Sequence, residues 1–101
     1  FVDITDTWSV KELDPYYQLI QKNKVDLIMT AHVFNRRQDS QYPATMSYKI
    51  NTTMLREILG YKGAVISDDL QMKAISTNYS LEDSIMYTLN AGVDLLLFAN
   101  Q

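Results

Sequence analysis

The stretch Gly63-Ala64-Val65-Ile66-Ser67-Asp68-Asp69-Leu70-Gln71-Met72 decides the fold of this chain. Its first half is uncharged, contains β-branched side chains and is bounded by turn residues, a pattern that predicts a strand covered on both faces. The strand runs directly into two carboxylates, and parallel α/β folds carry their chemistry at the carboxyl ends of strands. Because neighbouring side chains of a strand point to opposite faces, we expect one aspartate to face a cleft and the other to brace the following turn.

A structural interpretation of the two carboxylates is also open. An aspartate after a strand often forms only a turn or caps the next helix. A strand followed by two aspartates is, by itself, a short motif of low specificity. The chemical role of Asp68 and Asp69 therefore depends on what the rest of the chain supplies.

The hydrophobic pattern repeats a helix and then a strand three times along the chain. The strands are predicted near residues 25–31, 63–68 and 93–99. This spacing is typical of successive βα units, whose right-handed crossovers give a parallel sheet with helices on its faces. Three strands leave open sheet edges and a small core. We therefore expect the chain either to be part of a larger α/β barrel or to need a partner. A homo-oligomer joined through the sheet edges is one such arrangement.

Local signals predict where each helix begins and ends. A loose turn at 10–13 precedes a helix over about 15–22, whose buried stripe would be Tyr16, Leu19 and Ile20. The second helix is predicted to begin with Asn51 as its N-cap and to end at Gly60. The third helix is predicted to begin at Ser80 and to end at Gly92. Its Leu81, Ile85 and Leu89 would lie on one face. Arg56 is predicted to lie on an exposed helix face. The segments 1–9 and 34–48 are predicted to be irregular, and 70–79 to hold one short helical turn.

Composition and charge exclude several classes of function. The net charge is −3 and the only basic cluster is Arg36-Arg37, which argues against a nucleic-acid surface. The absence of cysteine removes disulfides and thiolate chemistry. No apolar run is long enough to span a membrane and no signal peptide is visible, so the compartment stays open between the cytoplasm and the cell envelope. No metal-ligand spacing and no glycine-rich phosphate loop are present.

Seven pieces of the sequence, in this order and at this spacing, resemble the catalytic barrel of family 3 glycoside hydrolases, and within it the β-N-acetylhexosaminidase branch. The pieces are Glu12-Leu13-Asp14-Pro15-Tyr16, Ile28-Met29-Thr30-Ala31-His32-Val33, Asp39, Pro43-Ala44-Thr45-Met46-Ser47, Leu55-Arg56, the stretch from Gly63 to Met72, and Ala91-Gly92-Val93-Asp94-Leu95-Leu96-Leu97. The resemblance implies a (β/α)8 TIM-type barrel, of which residues 1–101 would form the last three βα units. It also implies a retaining hydrolase that acts on β-linked N-acetylglucosamine in peptidoglycan or chitin fragments, without a cofactor or metal.

Carried over residue by residue, the resemblance makes Asp68 the nucleophile. In such enzymes a carboxylate attacks the anomeric carbon, and water then hydrolyses the glycosyl-enzyme intermediate. The resemblance suggests Met72 and His32 as substrate-binding residues. Plain packing is an equal alternative for Met72, and a hydrogen bond to loop backbone is an equal alternative for His32.

One departure from the family pattern concerns the proton donor. The resemblance places the acid/base histidine in a Gly-Asp-Thr-x-x-Asp-Ser-His-like motif, and a sugar-binding Lys-His pair, ahead of Phe1. Proton transfer by a general acid typically raises the reaction rate 10²–10⁴-fold. We therefore expect negligible hydrolysis by this chain alone. A non-catalytic binding or interaction module derived from such an enzyme is the main alternative. A phosphoacceptor domain is weaker, because residues 98–100 supply no lysine after the last strand.

Overall fold

Two parallel sheets organise the computed structural model of the chain, which describes residues 2–99; Phe1, Asn100 and Gln101, and the predictions that touch them, lie outside this range. The strands are β1 (Val2–Asp3), β2 (Leu27–Met29), β3 (Val33–Phe34), β4 (Ala64–Asp69) and β5 (Leu95–Leu97). The main sheet has the order β2-β4-β5, and β1 pairs with β3 in a second sheet. The predicted parallel α/β class is therefore confirmed, and each of the three predicted strands is present at its expected place.

The helices fill the intervals between these strands. They are α1 (Asp14–Gln21), α2 (Lys73–Ser76) and α3 (Leu81–Asn90), a π-helix over Lys49–Ile58, and two 3₁₀-helices over Val10–Leu13 and Ala44–Met46. Within residues 2–99, no helix is both long enough and apolar enough to cross a membrane.

Most of the predicted helix boundaries are confirmed. Ser9 and Glu12 form a capping box around the turn that precedes α1. The Ser80 hydroxyl accepts a hydrogen bond from the Asp83 N–H at the start of α3 (3.1 Å). Gly60 and Gly92 follow their helices with φ of +77° and +100°, a left-handed conformation that glycine adopts without steric cost.

The predicted N-cap at Asn51 is wrong. The π-helix already begins at Lys49, so Asn51 lies inside it and is fully buried. Its Nδ2 donates to the carbonyl oxygens of Ala44 (2.8 Å) and Ser47 (3.0 Å), rather than its oxygen accepting from a helix N–H. The Ser47 hydroxyl instead accepts from the Ile50 N–H (3.1 Å), which satisfies a backbone donor of the first turn.

Segments 1–9 and 34–48 are more regular than predicted. Val2 pairs with Val33 across the second sheet, and Ala44–Met46 forms a helical turn. Two-residue strands and three-residue turns are too short to show a period in the sequence, so only the pairing of distant segments reveals them.

One face of the main sheet packs on the core and the other is open, which corrects the prediction of a strand covered on both faces. The core consists of buried side chains from the π-helix, from β4 and from the segments before β4 and β5, namely Leu55, Leu59, Tyr61, Val65 and Val93. On the opposite face, Leu27, Met29 and Leu95 are each about half exposed. The registers place Leu27 beside Ala64, Met29 beside Ile66 and Ile66 beside Leu95, so these side chains form one continuous apolar surface.

The predicted buried stripe of α1 holds only at Ile20, which packs against the core, and the face of α3 that carries the leucines is not its buried face. In α1, Tyr16 and Leu19 are 56% and 44% exposed. In α3, Leu81 and Leu89 are about half exposed, whereas Ser84 and Thr88 are buried. Small side chains allow α3 to approach the 3₁₀-helix Ala44–Met46 closely, and this contact outweighs the leucine pattern.

Arg56 is also not on an exposed face, since its side chain is only 24% exposed. It donates to the carbonyl oxygen of Gly63 (2.9 Å) and to the Asp94 carboxylate (2.6 Å). Asp94 in turn accepts from the Val65 N–H (2.9 Å). These bonds join the amino ends of β4 and β5, so Asp94 has a structural position there.

Candidate active site

A β-bulge lies at the carboxyl end of β4. Ile66 pairs with Leu95 and Asp69 pairs with Leu97, so three steps along β4 match two along β5. The Leu97 N–H donates to the Ser67 hydroxyl (2.9 Å) in place of a main-chain acceptor. Bulges re-aim side chains and are common next to active sites. Asp68 lies within this bulge, a feature that no local sequence signal indicated.

Asp68 and Asp69 point to opposite faces of β4, as the strand period predicted. Asp68 is partly exposed, like Ala64 and Ile66 on its face, whereas Asp69 is buried like Val65 on the other. The Asp69 N–H donates to Asp68 Oδ1 (2.8 Å), which fixes the direction of that carboxylate. A partly exposed carboxylate with one oxygen held by a backbone donor is able to act as a nucleophile toward a molecule on the open face.

Asp69 braces the turn that follows the strand. Its Oδ1 accepts from the N–H groups of Ala99 (3.0 Å) and Gln71 (2.9 Å). These two backbone bonds, the one from Ala99 first, hold the pKa of Asp69 below its ordinary value, and burial opposes them. The ionised side chain therefore ties the end of β4 to the segment after β5.

His32 lies behind this turn with only 5% of its surface exposed. Its Nε2 is 2.7 Å from the carbonyl oxygen of Asp69, and its Nδ1 is 2.8 Å from the Thr45 hydroxyl. Of the two interpretations that the sequence left open, these contacts favour a histidine bonded to backbone over one that contacts substrate directly.

Met72 completes the turn and is 41% exposed. Its N–H donates to the same carbonyl oxygen of Asp69 (3.2 Å), and its own carbonyl accepts from the first turn of α2. The structure therefore joins Asp68, Met72 and His32 through one residue, Asp69.

Asp39 belongs to the buried network beside this turn, and sequence reasoning assigned it no role. Its carboxylate accepts from the Ser47 hydroxyl (2.6 Å) and from the N–H groups of Gln41 (2.8 Å) and Tyr42 (3.1 Å). Burial raises the pKa of Asp39, but these hydrogen bonds and the charge of Lys49 outweigh it and keep that pKa below its ordinary value. The long polar loop was the only signal of this scaffold in the sequence.

The part of the chain from residue 2 to residue 99 holds no group of three His, Asp or Glu side chains placed to bind a metal ion. The chemistry that these residues offer is that of carboxylates, an imidazole and backbone groups.

The family model that describes the glycosyl hydrolase family 3 N-terminal domain matches residues 5–101. The β-hexosaminidase of Haemophilus influenzae is 42% identical over 90 residues, which are 89% of this chain and 25% of that protein. β-Hexosaminidase A of Pseudoalteromonas piscicida is 38% identical over 103 residues, covering 91% of this chain and 17% of that protein. The chain thus spans about a quarter, or less, of the length of the curated relatives it matches.

Solved structures agree with these sequence matches. CbsA from Thermotoga neapolitana superposes with a TM-score of 0.89 at 36% identity, over 99% of this chain and 24% of that one. The β-N-acetylglucosaminidase from Thermotoga maritima gives a TM-score of 0.79 at 42% identity, over 85% of this chain and 19% of that one. The resemblance carried by the motifs around Asp68 is confirmed, and the chain belongs to the glycosyl hydrolase family 3 N-terminal domain family.

Proposed function

We propose that this chain is the nucleophile-bearing part of a retaining glycoside hydrolase that cleaves β-linked N-acetylglucosamine from peptidoglycan- or chitin-derived glycans. The observation that carries the proposal is the position of Asp68, a partly exposed carboxylate held in a bulge at the carboxyl end of the central strand. The names of the relatives, β-hexosaminidase and β-N-acetylglucosaminidase, support the substrate class.

In the proposed reaction, an oxygen of Asp68 attacks the anomeric carbon while the bond to the leaving oxygen breaks. A general acid supplies the proton that the leaving oxygen takes, and water then hydrolyses the glycosyl ester and frees Asp68. Both nitrogens of His32 are bonded within the protein, so it is a poor proton donor. We assign the general acid to sequence ahead of Phe1, as the family pattern implies.

Met72 is proposed to contact the sugar at the rim of the site. Its side chain is 41% exposed, and its backbone closes the turn that begins at Asp69. An exposed thioether on a fixed turn provides an adaptable apolar surface for a sugar ring or its N-acetyl methyl group.

We further propose that residues 1–101 form the last three βα units of a (β/α)8 barrel. The half-exposed apolar face of the main sheet supports this, because it would become the packed interior of a closed barrel. The greater length of the relatives supports it as well. Strands β2 and β5 are the edges of the open sheet, and barrel closure would pair both of them.

Labelling with a mechanism-based aminosugar inactivator that carries a good leaving group tests the nucleophile. Intact mass and peptide mapping should show one label on Asp68 in the full-length protein that carries these residues, and none in the Asp68→Asn variant. The exposed Asp26 provides the control, since Asp26→Asn should label like the wild type. Label on another residue, or on none, would reject Asp68 as the nucleophile.

The same experiment on residues 1–101 alone tests the non-catalytic alternative. This alternative is favoured for the isolated chain, because its only histidine is His32 and neither ring nitrogen is free to donate a proton to a substrate. We expect neither label nor hydrolysis of an aryl N-acetylglucosaminide. Appreciable turnover by residues 1–101 would refute the assignment of the general acid to other sequence. Absence of label in both proteins would favour a binding module.

A further inference from the structure

We propose that His32 is a positioning residue, a neutral imidazole whose Nε2 proton holds the Asp69 carbonyl and thereby aims the Asp68 carboxylate. This inference rests on the proposed function of Asp68. In this proposal His32 does not contact the sugar but acts on Asp68 through the backbone of one residue, Asp69.

The partners of the ring determine where its proton lies. A carbonyl oxygen can only accept, so the 2.7 Å bond to Asp69 requires a hydrogen on Nε2. In the neutral ring Nδ1 then accepts, and the Thr45 hydroxyl, 2.8 Å away and fully buried, is its donor. The Asp69 carbonyl thus requires this tautomer, and the Thr45 hydroxyl, which can donate or accept, supplies the donor that the unprotonated Nδ1 needs.

Asp69 transmits this constraint to the nucleophile. Its carbonyl oxygen accepts from His32 and from the Met72 N–H, and its carboxylate accepts from two further backbone N–H groups. With its carbonyl and its carboxylate both held, the backbone of Asp69 has fixed torsions on either side of its Cα, and its N–H donates to Asp68 Oδ1 at 2.8 Å. A displaced imidazole would release the Asp69 carbonyl, let these torsions change and turn the Asp68 carboxylate away from its line of attack.

The polar loop before the π-helix fixes the other side of the ring. Asn51 donates to the carbonyl oxygens of Ala44 (2.8 Å), just before Thr45, and of Ser47 (3.0 Å), two residues after it. The Asp39 carboxylate accepts from the Ser47 hydroxyl (2.6 Å). Thr45, Ser47 and Asn51 are all fully buried, so the hydroxyl that meets His32 is set by packed and hydrogen-bonded groups. This gives the long loop a purpose that the family resemblance did not supply.

Kinetics of the full-length protein on an aryl N-acetylglucosaminide test the proposal. His32→Leu should lower kcat roughly 10- to 100-fold with KM within about twofold of the wild type, because misplacement of a reacting group affects the chemical step. His32→Gln retains an amide N–H that can reach the Asp69 carbonyl, so it should recover most of the lost kcat. Thr45→Val should lower kcat, and Thr45→Ser, which keeps the hydroxyl, should behave like the wild type.

Two kinetic results would overturn the proposal. A tenfold rise in KM with kcat unchanged would mean that His32 contacts the sugar. Equal activity of His32→Leu and the wild type would mean that the ring has no effect on the nucleophile. If His32→Leu does not fold, as urea unfolding would reveal, the glutamine variant and the pair of Thr45 variants still decide between these outcomes.

Nitrogen-15 NMR of the histidine-labelled full-length protein provides a readout that does not depend on activity. The ring signals that disappear in His32→Gln belong to His32, and they should show the neutral tautomer with the proton on Nε2. Thr45→Val should shift them, whereas Thr45→Ser should not. The opposite tautomer would overturn the proposal. If Asp68→Asn keeps full activity, the proposed function fails, while these spectra still report on His32.

Discussion

Ser67 replaces a main-chain acceptor at the point where β4 bulges. Its buried hydroxyl accepts from the Leu97 N–H, which the bulge has separated from the usual ladder partner. We predict that Ser67→Ala lowers the free energy of unfolding by about 1–3 kcal/mol, because it leaves this N–H without its acceptor. Urea denaturation measures the loss, and the exposed Ser40→Ala should stay within about 0.5 kcal/mol of the wild type. Equal stability of the two variants would show that water replaces the hydroxyl.

Asp69 and Asp39 make the stability of the folded chain depend on pH. The pKa of each is held below the ordinary value of 3.8 in the folded chain, so their contributions are present above that value and are lost as the pH falls through the folded pKa values. We predict that the urea midpoint decreases on acidification below about pH 4. Asp69→Asn should flatten this dependence, since its side-chain oxygen still accepts but no longer titrates. A pH dependence identical to that of the wild type would contradict the prediction.

Gly92 combines a left-handed conformation with a close neighbour. Its φ is +100°, and a Cβ built on it would overlap the Thr52 hydroxyl, which donates to the Ala91 carbonyl (2.9 Å). Gly60 has a similar φ of +77°, but a Cβ there would meet only Gln21 Nε2 at 3.7 Å. We predict that Gly60→Ala costs about 1–2 kcal/mol for backbone strain and that Gly92→Ala costs more. Thermal or urea unfolding of both variants measures the two losses of stability, and their difference is the cost of the overlap with Thr52. Equal losses would contradict this prediction.

At the scale of elements, the Arg56 side chain connects the π-helix to the amino ends of β4 and β5. Its guanidinium donates to the Gly63 and Gly92 carbonyls and to the Asp94 carboxylate, and the side chain is three-quarters buried. We predict that Arg56→Met lowers the free energy of unfolding by about 1–3 kcal/mol, because a partly buried carbonyl and a carboxylate lose their donor. Arg56→Lys should recover only part, since an ammonium cannot reproduce the fork of the guanidinium.

The neighbouring Glu57 provides the matched control for this clamp. It lies on the same helix and is exposed. Glu57→Gln should therefore change stability by less than about 0.5 kcal/mol. If Arg56→Met is as stable as Glu57→Gln, the hydrogen bonds of the Arg56 guanidinium contribute nothing to stability. The π-helix, β4 and β5 are then held together by their apolar core alone.

At the scale of the whole molecule, compactness and coverage of the core are separate properties. The Cα radius of gyration is 13.3 Å, as expected for a domain of about 100 residues. Yet one face of the main sheet presents Leu27, Met29 and Leu95 at about half exposure. A contiguous apolar surface of this kind favours association or contact with further sequence.

We predict that residues 1–101, produced alone, self-associate with increasing concentration in sedimentation experiments, because this face is uncovered. The double variant Leu27→Thr/Leu95→Thr should reduce the association. Val10→Thr is the control, since Val10 is 67% exposed but lies outside the sheet. A monomer at all concentrations would mean that the open face needs no cover, and would count against the expected homo-oligomer.

The sequence predicted the fold better than it predicted the hydrogen bonds and the packing around the site. The pattern located all three strands of the main sheet, the start of α3 at Ser80 and the opposite directions of Asp68 and Asp69. It misjudged Asn51, whose amide bonds to carbonyls of a loop that no local signal placed nearby. It did not indicate that Ser84 and Thr88, rather than the leucines, form the buried face of α3.

The sequence by itself determined the order of the main helices and strands, the glycines at which helices end, and the family, because these depend on periodicity, capping and motifs within a few residues. Only the tertiary structure decided the bulge around Asp68, the two partners of His32 and the clamp at Arg56. Each of these depends on hydrogen bonds between residues far apart in the chain, such as His32 with Asp69 and Ser67 with Leu97. A local pattern carries no information about such distances, so the geometry that aims the carboxylate had to come from the folded chain.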